Sequence, residues 1–195
     1  PHVMLIPKDS SDLDQYPSDW RSGQPYSMFA GNDYAHLMIP LNEYFRYTED
    51  HTSVEWQVEA FASAAPAELG AQSTILDASM AVLRNGSSDW SCMPANPRGM
   101  ANPVLGWADP HEAMPVCFDS VGLEWMGAWM AGETPSLSRS TIVYMLHGDM
   151  GEDNTMPGVL YEEDAAPGQW IASGPHVMLM PQVAADLEGF PTDWT

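Results

Sequence analysis

The chain has 195 residues, 45% of them hydrophobic and 10% aromatic, enough apolar material for one ordinary domain core and too much for global disorder. Six Lys and Arg against 27 Asp and Glu leave a net charge of −21, which repels phosphate backbones and anionic lipid and excludes nucleic acid as a partner. No run of eighteen apolar residues occurs, so no membrane insertion by a spanning helix is expected.

The charge comes from missing bases rather than excess acids. Charged residues are 17% of the chain, against roughly 25% in a typical soluble domain. Lys8 is the sole lysine, joined by Arg21, Arg46, Arg84, Arg98 and Arg139. Few carboxylates can find a cationic side chain, so they are solvated or share cations, with calcium the candidate for the carboxylates. The chain begins Pro1-His2 without Met or signal peptide, which suggests processing or excision from something longer.

Residues 1–20 read PHVMLIPKDSSDLDQYPSDW, and residues 175–194 read PHVMLMPQVAADLEGFPTDW. Eleven of twenty positions are identical without a gap, at an offset of 174. His2, Val3, Met4, Leu5 and Ile6 form a first apolar run, expected as a strand buried on both faces. Residues 26–30 and the run His36, Leu37, Met38, Ile39 read the same way, each bounded by Pro or Gly. Residues 42–50 are a polar connector. A helix is expected over 54–64, with Pro66 as its stop, then a strand pair at 73–76 and 80–83 and a strand at 89–93. Residues 94–116, rich in Pro, Asn and Gly, read as a long loop.

Cys92 and Cys117 flank that loop, and the even count, scarce lysine and absent cytosolic cofactor motif favour a disulfide. Two buried thiols are the alternative. Asp119-Ser120 caps a helix over 121–131 with an apolar stripe of Leu123, Trp125, Met126, Trp129 and Met130, ended by Gly132. Residues 141–146 (TIVYML) are a strand. Asp149, Glu152, Asp153 and Asn154 then place four oxygen-bearing side chains in one Gly-rich turn, a candidate calcium loop without EF-hand spacing. Residues 170–172 and His176, Val177, Met178, Leu179 and Met180 close the chain as strands.

Strands and helices do not alternate regularly, so the expected fold is α+β, a mainly antiparallel sheet with about two helices on one side. Its expected parts are an arm of terminal strands at 1–50, a core at 51–174 and the second repeat copy at 175–195. Several pieces together, Thr74-Ile75-Leu76, Val82-Leu83-Arg84-Asn85-Gly86, Trp90-Ser91-Cys92-Met93-Pro94, Gly174-Pro175-His176-Val177-Met178 and Tyr34-Ala35-His36-Leu37-Met38-Ile39-Pro40, are similar to an uncharacterised family of secreted bacterial proteins with no assigned activity. The resemblance implies that a PHVM strand and a YAHLM strand follow the core in that order. Here the YAHLM strand precedes the core and is missing after the second PHVM copy.

Catalytic signatures are missing. There is no Gly-x-Ser-x-Gly elbow, zincin helix or phosphate loop, and no catalytic residue is assigned. His176, Met178 and Met180 share one strand face and could suit Cu(I), so a periplasmic copper-binding protein is an alternative. Unbranched Met as core filler is the plainer reading. Eight Trp keep a carbohydrate-binding module or a secreted enzyme as a third possibility. The leading expectation is a secreted or cell-surface structural protein whose partner is itself. It would polymerise by exchanging terminal strands, using residues 2–6, 36–39 and 176–179.

Overall fold

The computed structural model describes residues 2–18, 25–40 and 50–192. It divides into two compact units, Pro1–Glu49 and Asp50–Thr195. Trp20, Trp194 and all of the 42–50 connector but Asp50 lie outside the described residues.

The first unit holds β1 (His2–Leu5), a 3₁₀ turn (Ser10–Leu13), β2 (Tyr26–Met28) and β3 (His36–Pro40). The strands form an antiparallel sheet in the order β1-β3-β2, with His2 opposite Pro40, Val3 opposite Ile39, Met4 opposite Met38 and Leu5 opposite Leu37. Asp9 starts the turn by accepting the Ser11 amide. Leu13, Ala35 and Leu37 make a small core, with Tyr16 and Ile39 against it. The two-faced burial expected of the first strand is not found, since all four β1 residues are exposed. The 3₁₀ turn packs over the β3 row instead.

The second unit contains α1 (Val54–Ala62), α2 (Ala67–Gln72), β4 (Thr74–Leu76), β5 (Val82–Arg84), β6 (Ser91–Pro94), α3 (Pro110–Ala113), β7 (Pro115–Phe118), α4 (Ser120–Ala131), β8 (Thr141–Met145), β9 (Glu152–Asp153), β10 (Trp170–Ile171) and β11 (His176–Met180). Its main sheet has the order β11-β8-β7-β6-β4-β5, antiparallel except where β4 runs parallel to β6. β9 and β10 pair separately. The fold class is α+β.

Strand alternation assigns the layers. Leu76, Met93, Val116, Phe118, Val143, Met145 and Met180 cluster with Val121 of α4. Their sequence neighbours Ile75, Cys92 and Cys117 cluster with Ala60 and Phe61 of α1. Successive strand residues face opposite ways, so α4 covers one face and α1 the other. The two helices expected on one side therefore lie on opposite sides, and the central strand β7 between them is apolar and buried at all four positions because both of its faces are covered. β7 begins inside the stretch that reads as loop, at Pro115 and Val116, and all four of its residues are buried. The α4 stripe is covered only in part: Leu123, Trp125 and Met126 pack on the core, while Trp129 and Met130 are exposed.

Caps fix the helix limits. Ser53 accepts the Trp56 amide at the start of α1, Asp119 accepts Gly122 N at the start of α4, and Gly132 ends α4 at φ +68°. The remaining irregular stretch between β6 and α3 is tied down by Glu112, which is 5% exposed. Its carboxylate accepts the amides of Ala101 (3.0 Å) and Ala108, and Asn96 Nδ2 donates to its carbonyl at 2.7 Å.

Candidate functional site

The two copies of the terminal element fold alike. The first is β1 followed by the turn Ser10–Leu13; the second is β11 followed by a 3₁₀ turn at Ala184–Leu187, at the same offset of 174. Three backbone hydrogen bonds recur at that offset. Asp12 N to Asp9 O, Asp14 N to Ser11 O and Tyr16 N to Leu13 O match Asp186 N to Val183 O, Glu188 N to Ala185 O and Phe190 N to Leu187 O. A sequence that builds one local structure in two surroundings carries that structure itself; the surroundings decide only what it packs against.

The surroundings differ by one element each. β1 pairs with β3. β11 pairs with β8, with His176 opposite Met145, Val177 opposite Tyr144, Met178 opposite Val143 and Leu179 opposite Ile142, and it ends the sheet order. Leu13, under β3, is 4% exposed, whereas its counterpart Leu187 is 43% exposed. Phe190, the counterpart of half-buried Tyr16, is 66% exposed. Val177 and Leu179 are also exposed on β11. Among the described residues, each copy thus pairs with a strand that has no equivalent beside the other. Apolar side chains left bare beside an open strand edge form an adhesive surface.

The expected assembly residues fall into place within their own units. His2, Val3, Met4 and Leu5 lie on β1, Ile6 directly follows it, exposed, and His36, Leu37, Met38 and Ile39 lie on β3. His36 Nδ1 lies 2.9 Å from Tyr34 O, and His176 Nδ1 lies 2.7 Å from Gly174 O. The same local bond thus starts β3 and β11.

The candidate copper face is mostly core. Met180 is buried in the α4-side cluster, Met178 packs against it, and His176 is held by its local bond. The candidate calcium loop does not gather. Glu152 and Asp153 are neighbours on β9 and so point to opposite faces. Asp153 Oδ1 accepts from Thr155 N, Thr155 Oγ1 and Met156 N at 2.7–2.8 Å, and its Oδ2 accepts Ala166 N at 2.7 Å. Asp149 Oδ1 accepts Gly151 N and Ser173 N, both at 2.9 Å. Asn154 Nδ2 donates to Thr192 O at 2.8 Å. Main-chain amides thus hold both oxygens of Asp153 and one of Asp149. Among the described residues no group of three or more His, Cys, Asp or Glu could hold a metal ion.

Those amides also set the charge of the loop. The Thr155 hydroxyl, then the Ala166 and Thr155 amides, hold Asp153 down at about 2. Burial pushes Glu152 up, the nearby Asp149 charge adds to this, and Arg98 opposes it. A folded value below the unfolded carboxylate value near 3.9 gives stability that is present above about pH 4 and lost as pH falls through about 2. Asp153→Asn is therefore expected to lower the melting temperature at pH 7 and to shrink its further drop between pH 5 and pH 2.5. Thermal circular dichroism at both values checks this, and an unchanged drop would contradict it.

A Ser–His pair escaped the sequence reading because its members are 84 residues apart. Ser63 Oγ lies 2.7 Å from His147 Nε2, but the hydroxyl donates to Ala60 O, also at 2.7 Å. The helix-end carbonyl competes with the imidazole, at the same distance, for the one hydroxyl proton, which weakens the pair as nucleophile and base. Burial first, then the His111 charge, lowers the His147 pKa against the pull of Asp109.

Cys92 and Cys117 form a disulfide between facing positions of β6 and β7, with both residues wholly buried. Such bonds form and persist mainly in oxidising environments. Among the described residues no helix is long and apolar enough to cross a membrane. No protein-family model, curated protein or solved structure matches the chain.

Proposed function

We propose that this chain is a secreted structural protein that assembles with copies of itself into a filament or similar polymer by exchanging terminal strands. The observation that supports this most is the duplicated element at the two ends, folded alike with complementary surroundings. Edge pairing supplies affinity through main-chain hydrogen bonds, and the apolar side chains along it supply selectivity. Donor and acceptor surfaces differ, so the contact is heterologous and propagates rather than closing a twofold dimer. The disulfide fits an extracellular setting.

Copies carrying −21 each repel one another, and that repulsion is screened within about 8 Å at physiological ionic strength. Assembly is therefore expected to rise with salt, and to rise faster with a divalent cation, acting by screening and bridging rather than by a built site. Sedimentation velocity over a range of protein and salt concentrations tests the reading. Growing species larger than a dimer are expected. A chain that sediments as a 21.4 kDa monomer at every concentration, even in high salt, would refute self-assembly.

A further inference from the structure

The structure assigns a specific occupant to the open edge of β11: we infer that β3 of a second copy docks there, and that β1 is an internal stand-in holding β3 until it does. The inference rests on the self-assembly reading and deepens it. The template for the contact is in the molecule. HVML in β1 pairs with β3 in a defined register, and HVML recurs in β11 with β8 along one edge and the end of the sheet along the other.

The offset of 174 transfers the register: His176 opposite Pro40, Val177 opposite Ile39, Met178 opposite Met38 and Leu179 opposite Leu37 of the neighbour. β2 follows β3, so one continuous sheet would run β2-β3 from one copy into β11-β8-β7-β6-β4-β5 of the next. Leu37 and Ile39 would lie over Leu187 and Phe190 as they now lie by Leu13 and Tyr16.

Bond for bond the exchange is nearly even, because the same four residues are paired before and after. Two differences favour the neighbour. β11 is already fixed by β8, so its edge costs little further ordering, whereas residues 1–18 regain backbone freedom on release. β1 also presents all four residues to solvent, while Met178 and Met180 anchor β11 to the core. Opposing this, β1 competes from within the same chain at high effective concentration. Removing β1 should therefore promote assembly, although it deletes an apolar strand.

Two experiments test this, one on the full chain and one comparing it with a chain that lacks residues 1–6. Single-cysteine variants are mixed in pairs under mild oxidation, Ile39→Cys with Val177→Cys and Met38→Cys with Met178→Cys. Adjacent pairs cover both pair geometries of an antiparallel ladder. Cross-linked dimers are expected in at least one pair at about tenfold the yield of the shifted control, Ile39→Cys with Leu179→Cys. Separately, a chain beginning at residue 7 should assemble at lower protein concentration than the full chain. Polymer that forms without either cross-link, or that is lost when residues 1–6 are removed, overturns the inference while self-assembly stands. A chain monomeric in both forms overturns both. A cross-link that forms only within one chain, in an Ile39→Cys and Val177→Cys double variant, gives the site to the chain's own β3 and also overturns it.

Discussion

Deleting residues 1–50 is expected to abolish assembly under conditions where the full chain polymerises, and to leave a folded monomer. The deletion removes β2 and β3, which carry the row of buried Leu37 and neighbouring Ile39. It leaves intact the six-stranded sheet, both of its core clusters and the disulfide. β11 would keep its open edge, but no copy would have a strand to place there. The effect should be all or none, since a heterologous polymer needs donor and acceptor on the same chain. Sedimentation of the truncated chain, with circular dichroism and a thiol titration as folding controls, gives the answer. Normal polymerisation by the truncated chain would show that terminal strand exchange is the wrong mechanism.

The largest expected effect on stability comes from the disulfide. Cys92 and Cys117 are 25 residues apart, and closing a loop of that size stabilises by about 3.5 kcal/mol on the chain-entropy model. Both residues lie in the cluster with Phe61, Ile75 and Trp107, so replacing both by Ala also removes packed sulfur from the interior. A fall in melting temperature of about 10 °C is expected for the double Ala variant, and a comparable fall for the native chain in strong reductant. Calorimetry with and without reductant checks this. An unchanged melting temperature would mean that β6 and β7 are held together by the sheet and core alone.

Much of the fold is legible in local chemistry. The helix expected over 54–64 is α1, and the one over 121–131 is α4, each marked by a Ser or Asp cap and a defined stop. The strand pair, β8 and the Cys92–Cys117 bond also follow from pattern and count. β7 is hidden because Pro115-Val116-Cys117-Phe118 has no alternation, being buried on both faces, and follows a proline-rich loop. The six-residue α2 starts at the proline that marks the end of α1, so the stop signal masks a new start.

The candidate site is legible only in part. Two equal segments are plain in the sequence, but the same HVML pairs with β3 in one copy and β8 in the other. No residue within the shared HVML can encode that difference; the positions where the copies diverge, such as core Met180 against exposed Ile6, and the surroundings do. The acidic loop misleads for a related reason. Asp153 is placed for an ion by its residue type, yet its own turn delivers two amides and a hydroxyl, and Ala166 a third amide, to it first.

Negative-stain electron microscopy of native material kept in calcium, before any chelator is added, tests the central claim most directly. Ordered filaments or tubes with a regular subunit repeat are predicted. Uniform particles of a 21.4 kDa monomer would contradict assembly and leave the duplicated element as two independent decorations of separate units.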